Sequence, residues 1–165
     1  MKALVLGAAL LLVAAGPVMA CKCSGAPMRH RVARSVAVFT GRVLETRADD
    51  LTGMWWRNVA KVRVLKSWKG PRRGQVVFVS SDAGDCSYDF RYESSRGDST
   101  HLIFADGLAE SDTLTTTICH GSRPLGSEWA REMLDSLRVL QRSGLIPSSR
   151  QETGTRPGQS ERVTR

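Results

Sequence analysis

The chain has 165 residues, which is one domain by length, with a core large enough to support itself. No segment is apolar for the roughly 20 residues that a membrane span needs, which excludes a transmembrane helix. The 24 Lys and Arg outnumber the 16 Asp and Glu for a net charge of +8. That excess favours anionic partners such as acidic polysaccharide, or serves solubility alone.

In chain order, residues 1–20 read as a secretory signal peptide. Lys2 supplies the positive start, Leu4 to Ala15 is an apolar run, Gly16-Pro17 breaks it, and Val18-Met19-Ala20 precedes the cut. Cleavage after Ala20 makes Cys21 the first residue of a secreted or periplasmic protein. An alternative reading takes Val18-Met19-Ala20-Cys21 as a lipoprotein box, with Cys21 acylated. Met19 fits that box poorly, and acylation leaves three cysteines, an odd number.

Cys21-Lys22-Cys23 follows, with Cys86 and Cys119 much later. Export makes disulfides the default for these four cysteines. Cys21 and Cys23 are too close to pair with each other, so each reaches forward, one to Cys86 and one to Cys119. The competing metal reading adds His120 to the cysteines, at a spacing that fits no common zinc pattern.

Pro27 to Arg34 reads as a short helix with Pro27 in its first turn. Strand-like runs follow: Val36 to Leu44, Val59 to Lys66, Gln75 to Val79, Tyr88 to Tyr92, Thr100 to Ala105 and Leu114 to Ile118. Gly41 marks a bulge or a close backbone approach. In the second run Ala60, Val62 and Val64 face inward, and Lys61 and Arg63 outward. Lys69-Gly70-Pro71 and Gly74 form a turn. Ser127 is the expected N-cap of a helix with Glu128 in its first turn. Trp129, Met133, Leu137 and Leu140 form its apolar stripe, widened by Ala130 and Leu134. Gly144 ends it and Pro147 prevents continuation. The expected fold is mainly β: a five- to six-stranded OB-like closed barrel with a short N-terminal helix and a C-terminal amphipathic helix. The expected organisation is signal peptide 1–20, one domain 21–146 and a disordered basic tail 147–165.

This order of parts resembles the netrin-type module of the tissue inhibitors of metalloproteinases. It is closest to the small bacterial proteins classed with them. The residues that carry the resemblance are Cys21-Lys22-Cys23, Ala37 to Val43, Val62 to Val64, Trp68-Lys69-Gly70, Cys86 and Thr117-Ile118-Cys119. It covers roughly residues 21 to 142, the span of one ordinary domain. The resemblance implies the pairs Cys21–Cys86 and Cys23–Cys119. It also implies inhibition of a metalloendopeptidase: the Cys21 amine and carbonyl chelate the protease zinc, and Lys22 enters the specificity pocket. A terminal amine, with an ordinary pKa of about 7.7–8.0, can lose its proton and ligate zinc near neutrality. Cys21 is thus a metal ligand through its backbone only, toward a partner's zinc.

Several residues depart from the animal inhibitors. Lys22 is long and charged, Ser24-Gly25 replaces apolar residues, and the third disulfide and second domain are missing. Trp55-Trp56, in the loop between the first two strands, serves packing or, with Cys21, Lys22, Cys23 and Ser24, partner binding. Lys66, Lys69, Arg72 and Arg73 form one basic cluster, and Arg29, Arg31 and Arg34 another. They are either solvated faces or sites for an anionic glycan or envelope component, which is the alternative function. Nucleic acid is not an expected partner of an exported protein. The three histidines are scattered and no catalytic motif is present, so neither an enzyme nor a cofactor is expected. A monomer is expected.

Overall fold

A computed structural model describes residues 21, 23, 25–50, 56–81, 86–91, 97, 99–108 and 113–146. Helix α1 (Met28–Arg34) is followed by strands β1 (Ala37–Asp50), β2 (Trp56–Lys69), β3 (Val76–Ser81), β4 (Thr100–Ala105), β5 (Gly107–Leu108), β6 (Leu114–Thr116) and β7 (Arg123–Pro124). A 3₁₀ turn at Ile118–His120 separates β6 from β7, and α2 (Glu128–Arg142) closes the described chain. The protein is mainly β, as expected, with two helices among the described residues.

The strands form one sheet in the order β5-β6-β3-β2-β1-β4-β7. All ladders are antiparallel except that between β3 and β6. The sheet curls, because β6 and β4 also touch through side chains. The Thr116 hydroxyl donates to the Phe104 carbonyl at 2.7 Å, and the Ser122 hydroxyl accepts from the Phe104 amide at 3.1 Å. The two hydroxyls lie 2.7 Å apart, and all three residues are buried. Each buried polar group therefore has a partner in a place where leaving one unpaired would cost about 1–3 kcal/mol.

Inside the curl lies one core, built from Ala37 and Phe39 of β1, Ala60, Val62 and Val64 of β2, Val79 of β3, and Ile103 and Ala105 of β4. This is the inward alternation expected of β2. A second core lies outside the sheet. There Val38, Trp68, Leu102 and Phe104 pack against Val32 of α1 and Met133 and Leu137 of α2. β4 is thus buried on both faces.

Several elements differ from the sequence expectation. β1 and β2 extend to Asp50 and Trp56, so Trp56 lies in a strand rather than a loop. Tyr88 to Tyr92 is no strand over its described residues: Phe90 and Arg91 are helical. Tyr88 and Phe90 plug the inner core instead, with rings 4.7 Å apart and edge-on. The run at Leu114 ends at Thr116, and Ile118 turns away. Trp129 is 62% exposed, so the stripe that α2 buries consists of Ala130, Met133 and Leu137.

Local chemistry supports the remaining boundaries. The Ser127 hydroxyl accepts from the Ala130 amide at 3.2 Å, a cap that satisfies one free donor of α2. Gly41 sits at a β1 bulge, where a Cβ would run into Val62 and lie 3.2 Å from the Arg63 carbonyl. Gly70 has φ +87°, and a Cβ there would come within 2.7 Å of the Ala37 side chain. The proposed signal peptide and the tail 147–165 lie outside the described residues, and no described helix is long and apolar enough to cross a membrane.

Candidate functional site: the disulfide-mounted N-terminal strip

All four cysteines are paired, Cys21 with Cys86 and Cys23 with Cys119. The Cα atoms are 5.5 Å and 4.9 Å apart, within the ordinary disulfide range. The bridges lie side by side, with Cys21 Sγ 3.6 Å from Cys119 Sγ. The sulfurs of Cys21, Cys23 and Cys119 fall within 4.8 Å of one another, but in disulfides they offer no thiolate to a metal. The metal reading of the cysteines therefore does not describe this oxidised arrangement.

Both bridges end on rigid mounts. Cys86 lies two residues before Tyr88, whose amide donates to the buried Ser81 hydroxyl and whose ring is fully buried. The Tyr88 hydroxyl lies 2.7 Å from His101 Nδ1 inside the core. Phe90, also fully buried, completes an edge-on aromatic cluster with both. Cys119 sits in the 3₁₀ turn, and the Ile118 amide before it donates to the Cys86 carbonyl at 3.0 Å. The two mounts are thus tied to each other as well as to the strip.

Neighbouring polar groups fix the Cys119 side. Arg31 reaches from α1 and donates through Nη1 to the Cys119 carbonyl at 3.1 Å, and through Nε to the Ala26 carbonyl at 3.0 Å. His120 Nε2 lies 2.6 Å from Asp106 Oδ2, and the Ser35 hydroxyl donates to Asp106 Oδ1 at 3.2 Å. Arg31 therefore holds the strip rather than facing a ligand. Lys69 does similar work: its ammonium donates to the Val32 and Ala33 carbonyls, each at 3.3 Å, at the C-terminal end of α1. Lys66 sits 4.6 Å over the Trp68 ring. Both basic clusters expected from the sequence are thus partly used inside the molecule.

Topology decides what lies near the strip. β3 and β6 run parallel and both end toward the start of β2, since Ser81 pairs with Asn58. Cys86 and Cys119 follow those strand ends. The β1–β2 hairpin continues past Asn58 to the Asp50–Trp56 pair at the same end of the sheet. Cys21 is half-buried and Cys23 exposed there. Lys22, Ser24 and Trp55 lie outside the described residues, as does the Trp56 side chain.

Sequence reading missed the Tyr88–His101–Phe90 cluster. The three residues look unrelated along the chain, and the only signal was a His in an otherwise apolar strand. Neither the protein-family models nor the curated proteins searched give a match to this chain.

Proposed function

We propose that the chain is an exported OB-like module of the metalloproteinase-inhibitor type, which inhibits a metalloendopeptidase through the Cys21 amine and carbonyl. The observation that carries this reading is the double mount of Cys21 and Cys23 on Cys86 and Cys119. A first residue held through its own side chain presents amine and carbonyl in fixed geometry, and a chelator fixed in advance loses little freedom on binding. It would take the position that a catalytic zinc leaves open for water. The β1–β2 hairpin, whose Asp50–Trp56 pair lies at the same end of the sheet, is the second contact in this reading. The Cys21 sulfur, already bonded to Cys86, leaves nothing for an acyl chain, which favours release over lipoprotein anchoring.

The stagger of the strands supports a closed barrel. From Thr116 the ladders lead through Ser81 and Asn58 to Ala48 of β1. Phe104, which Thr116 also touches, instead faces Val38, ten residues earlier on β1. A large stagger around few strands is what closing a small sheet on itself requires.

The test uses mature protein beginning at Cys21, beside a form with one alanine added before it. Both are assayed against a panel of secreted zinc endopeptidases. The expected result is inhibition by the mature form and its loss in the extended form. Equal inhibition by both forms overturns the mechanism, and inhibition by neither overturns the function. A second reading, a binding module for an anionic glycan, is favoured by a separate surface on the bare face of the sheet.

A further inference from the structure

Beyond the ends of α1 and α2, the outer face of β1, β2 and β3 is largely open among the described residues: Arg42, Glu45, Arg47, Arg63, Val76 and Phe78 are exposed, while Val59 between them is buried. Ladder register places three rows across these strands. Arg42 faces Arg63, which faces Val76; Glu45 faces Lys61, which faces Phe78; and Arg47 faces Val59. A shallow groove of about 140 Å³ runs among Glu45, Arg47, Val59, Lys61 and Phe78. Phe78 is 44% exposed and Val76 39% exposed, both large for apolar side chains with no cover. The Arg47 guanidinium lies 6.0 Å from the Phe78 ring centroid. Arg47 and Lys61 thus line the groove with Phe78, and Arg42 and Arg63 lie in the next row, against Glu45 as the opposing charge among the described residues of these rows. From strand spacing and rise, the patch is about 10 Å across and about 14 Å long.

We propose that this groove is a binding site for an acidic polysaccharide. The proposal rests on the glycan-binding reading and gives it a location away from both basic clusters picked out in the sequence. Carboxylates or sulfates would meet Arg47, Lys61 and Arg63, while the C–H face of a sugar packs on Phe78 and Val76. Charge complementarity selects a polyanion. The lining selects among polyanions: single-stranded nucleic acid is held by successive aromatic platforms under successive bases, and here there is one ring among the described residues. An acidic peptide strand would have to add along the edge of β3 at Val76 to Phe78, beside the groove rather than in it, because β2 is hydrogen-bonded on both sides here. The disulfides suit an oxidising compartment, where polysaccharide is the commoner polyanion.

The test measures binding of polygalacturonate, a uronate polymer, to the mature protein across a salt series, with an oligo-dT strand as competing probe. Lys61→Ala with Arg63→Ala should weaken polygalacturonate binding at least tenfold and make its salt dependence shallower. Phe78→Ala should weaken it severalfold with unchanged salt dependence and an intact fold by circular dichroism. Arg72→Ala with Arg73→Ala removes the same charge from an exposed turn and should change it less than threefold. If the two double variants weaken binding equally, net charge alone is responsible and the groove is not the site. If the wild type does not bind, the glycan reading falls. Tighter binding of oligo-dT at equal salt overturns the ligand class. The form extended before Cys21 should bind as the mature form does, and loss of binding there would move the site to the N-terminal strip.

Discussion

The outer face of the sheet has two halves that share the same strands. In one, Val38, Trp68, Leu102 and Phe104 point outward and vanish beneath α1 and α2. In the other, Arg42, Lys61, Arg63 and Phe78 point outward into water or the groove. β1 and β2 run through both. The strand backbone is therefore indifferent to what covers it. Outward positions change from apolar to cationic along a single strand, and they change where the helices stop. The covered half holds the molecule together, and the bare half is free to meet something else.

Substitutions can break this contrast. Leu137→Ala, at the centre of the covered half, should cost about 2–5 kcal/mol, read from the denaturant midpoint. A loss below 1 kcal/mol would mean that α2 is only loosely seated. Gly70→Val, where β2 ends against Ala37, should cost more than about 1 kcal/mol, because it forces a side chain into positive φ and a close contact. Ser127→Ala removes the cap of α2 and should cost about 1 kcal/mol, seen as a lower melting temperature. Phe78→Ala, on the bare half, should cost about 1 kcal/mol or less, and a loss equal to that of Leu137→Ala would show hidden packing there. Asp135→Ala removes an exposed pair with Arg138 and should shift stability by less than about 0.5 kcal/mol.

Much of the inner core and of the helix layer was legible in the sequence. Val62 and Val64 alternate with Lys61 and Arg63, and the helix from Glu128 shows its cap, stripe and stop. The stripe misplaced Trp129, because helical rotation sets it about 80° from Leu137, at the margin of the contact. The cysteines were legible as a framework. The resemblance supplied the pairing, since spacing left two choices open. Tyr88 to Tyr92 misled for a physical reason. Tyr and Phe favour strands, yet here the Cys86 bridge and the burial of two rings fix the backbone, and tertiary packing outweighs local preference. The groove was invisible because its residues come from three strands. Their register depends on two bulges in β1: Gly41 announces the one at Thr40/Gly41, but no local pattern announces the one at Val43/Glu45.

Burial of β4 on both faces has a consequence for how the protein opens. A helix can lift without uncovering more than one side of that strand. Water reaches the amides of Leu102, Ile103 and Phe104 only when the sheet and the helix layer part together. Their deuterium exchange should therefore be the slowest in the chain and should track whole-molecule unfolding. β4 then serves as an internal clock, against which the local opening of the N-terminal strip and the groove can each be timed.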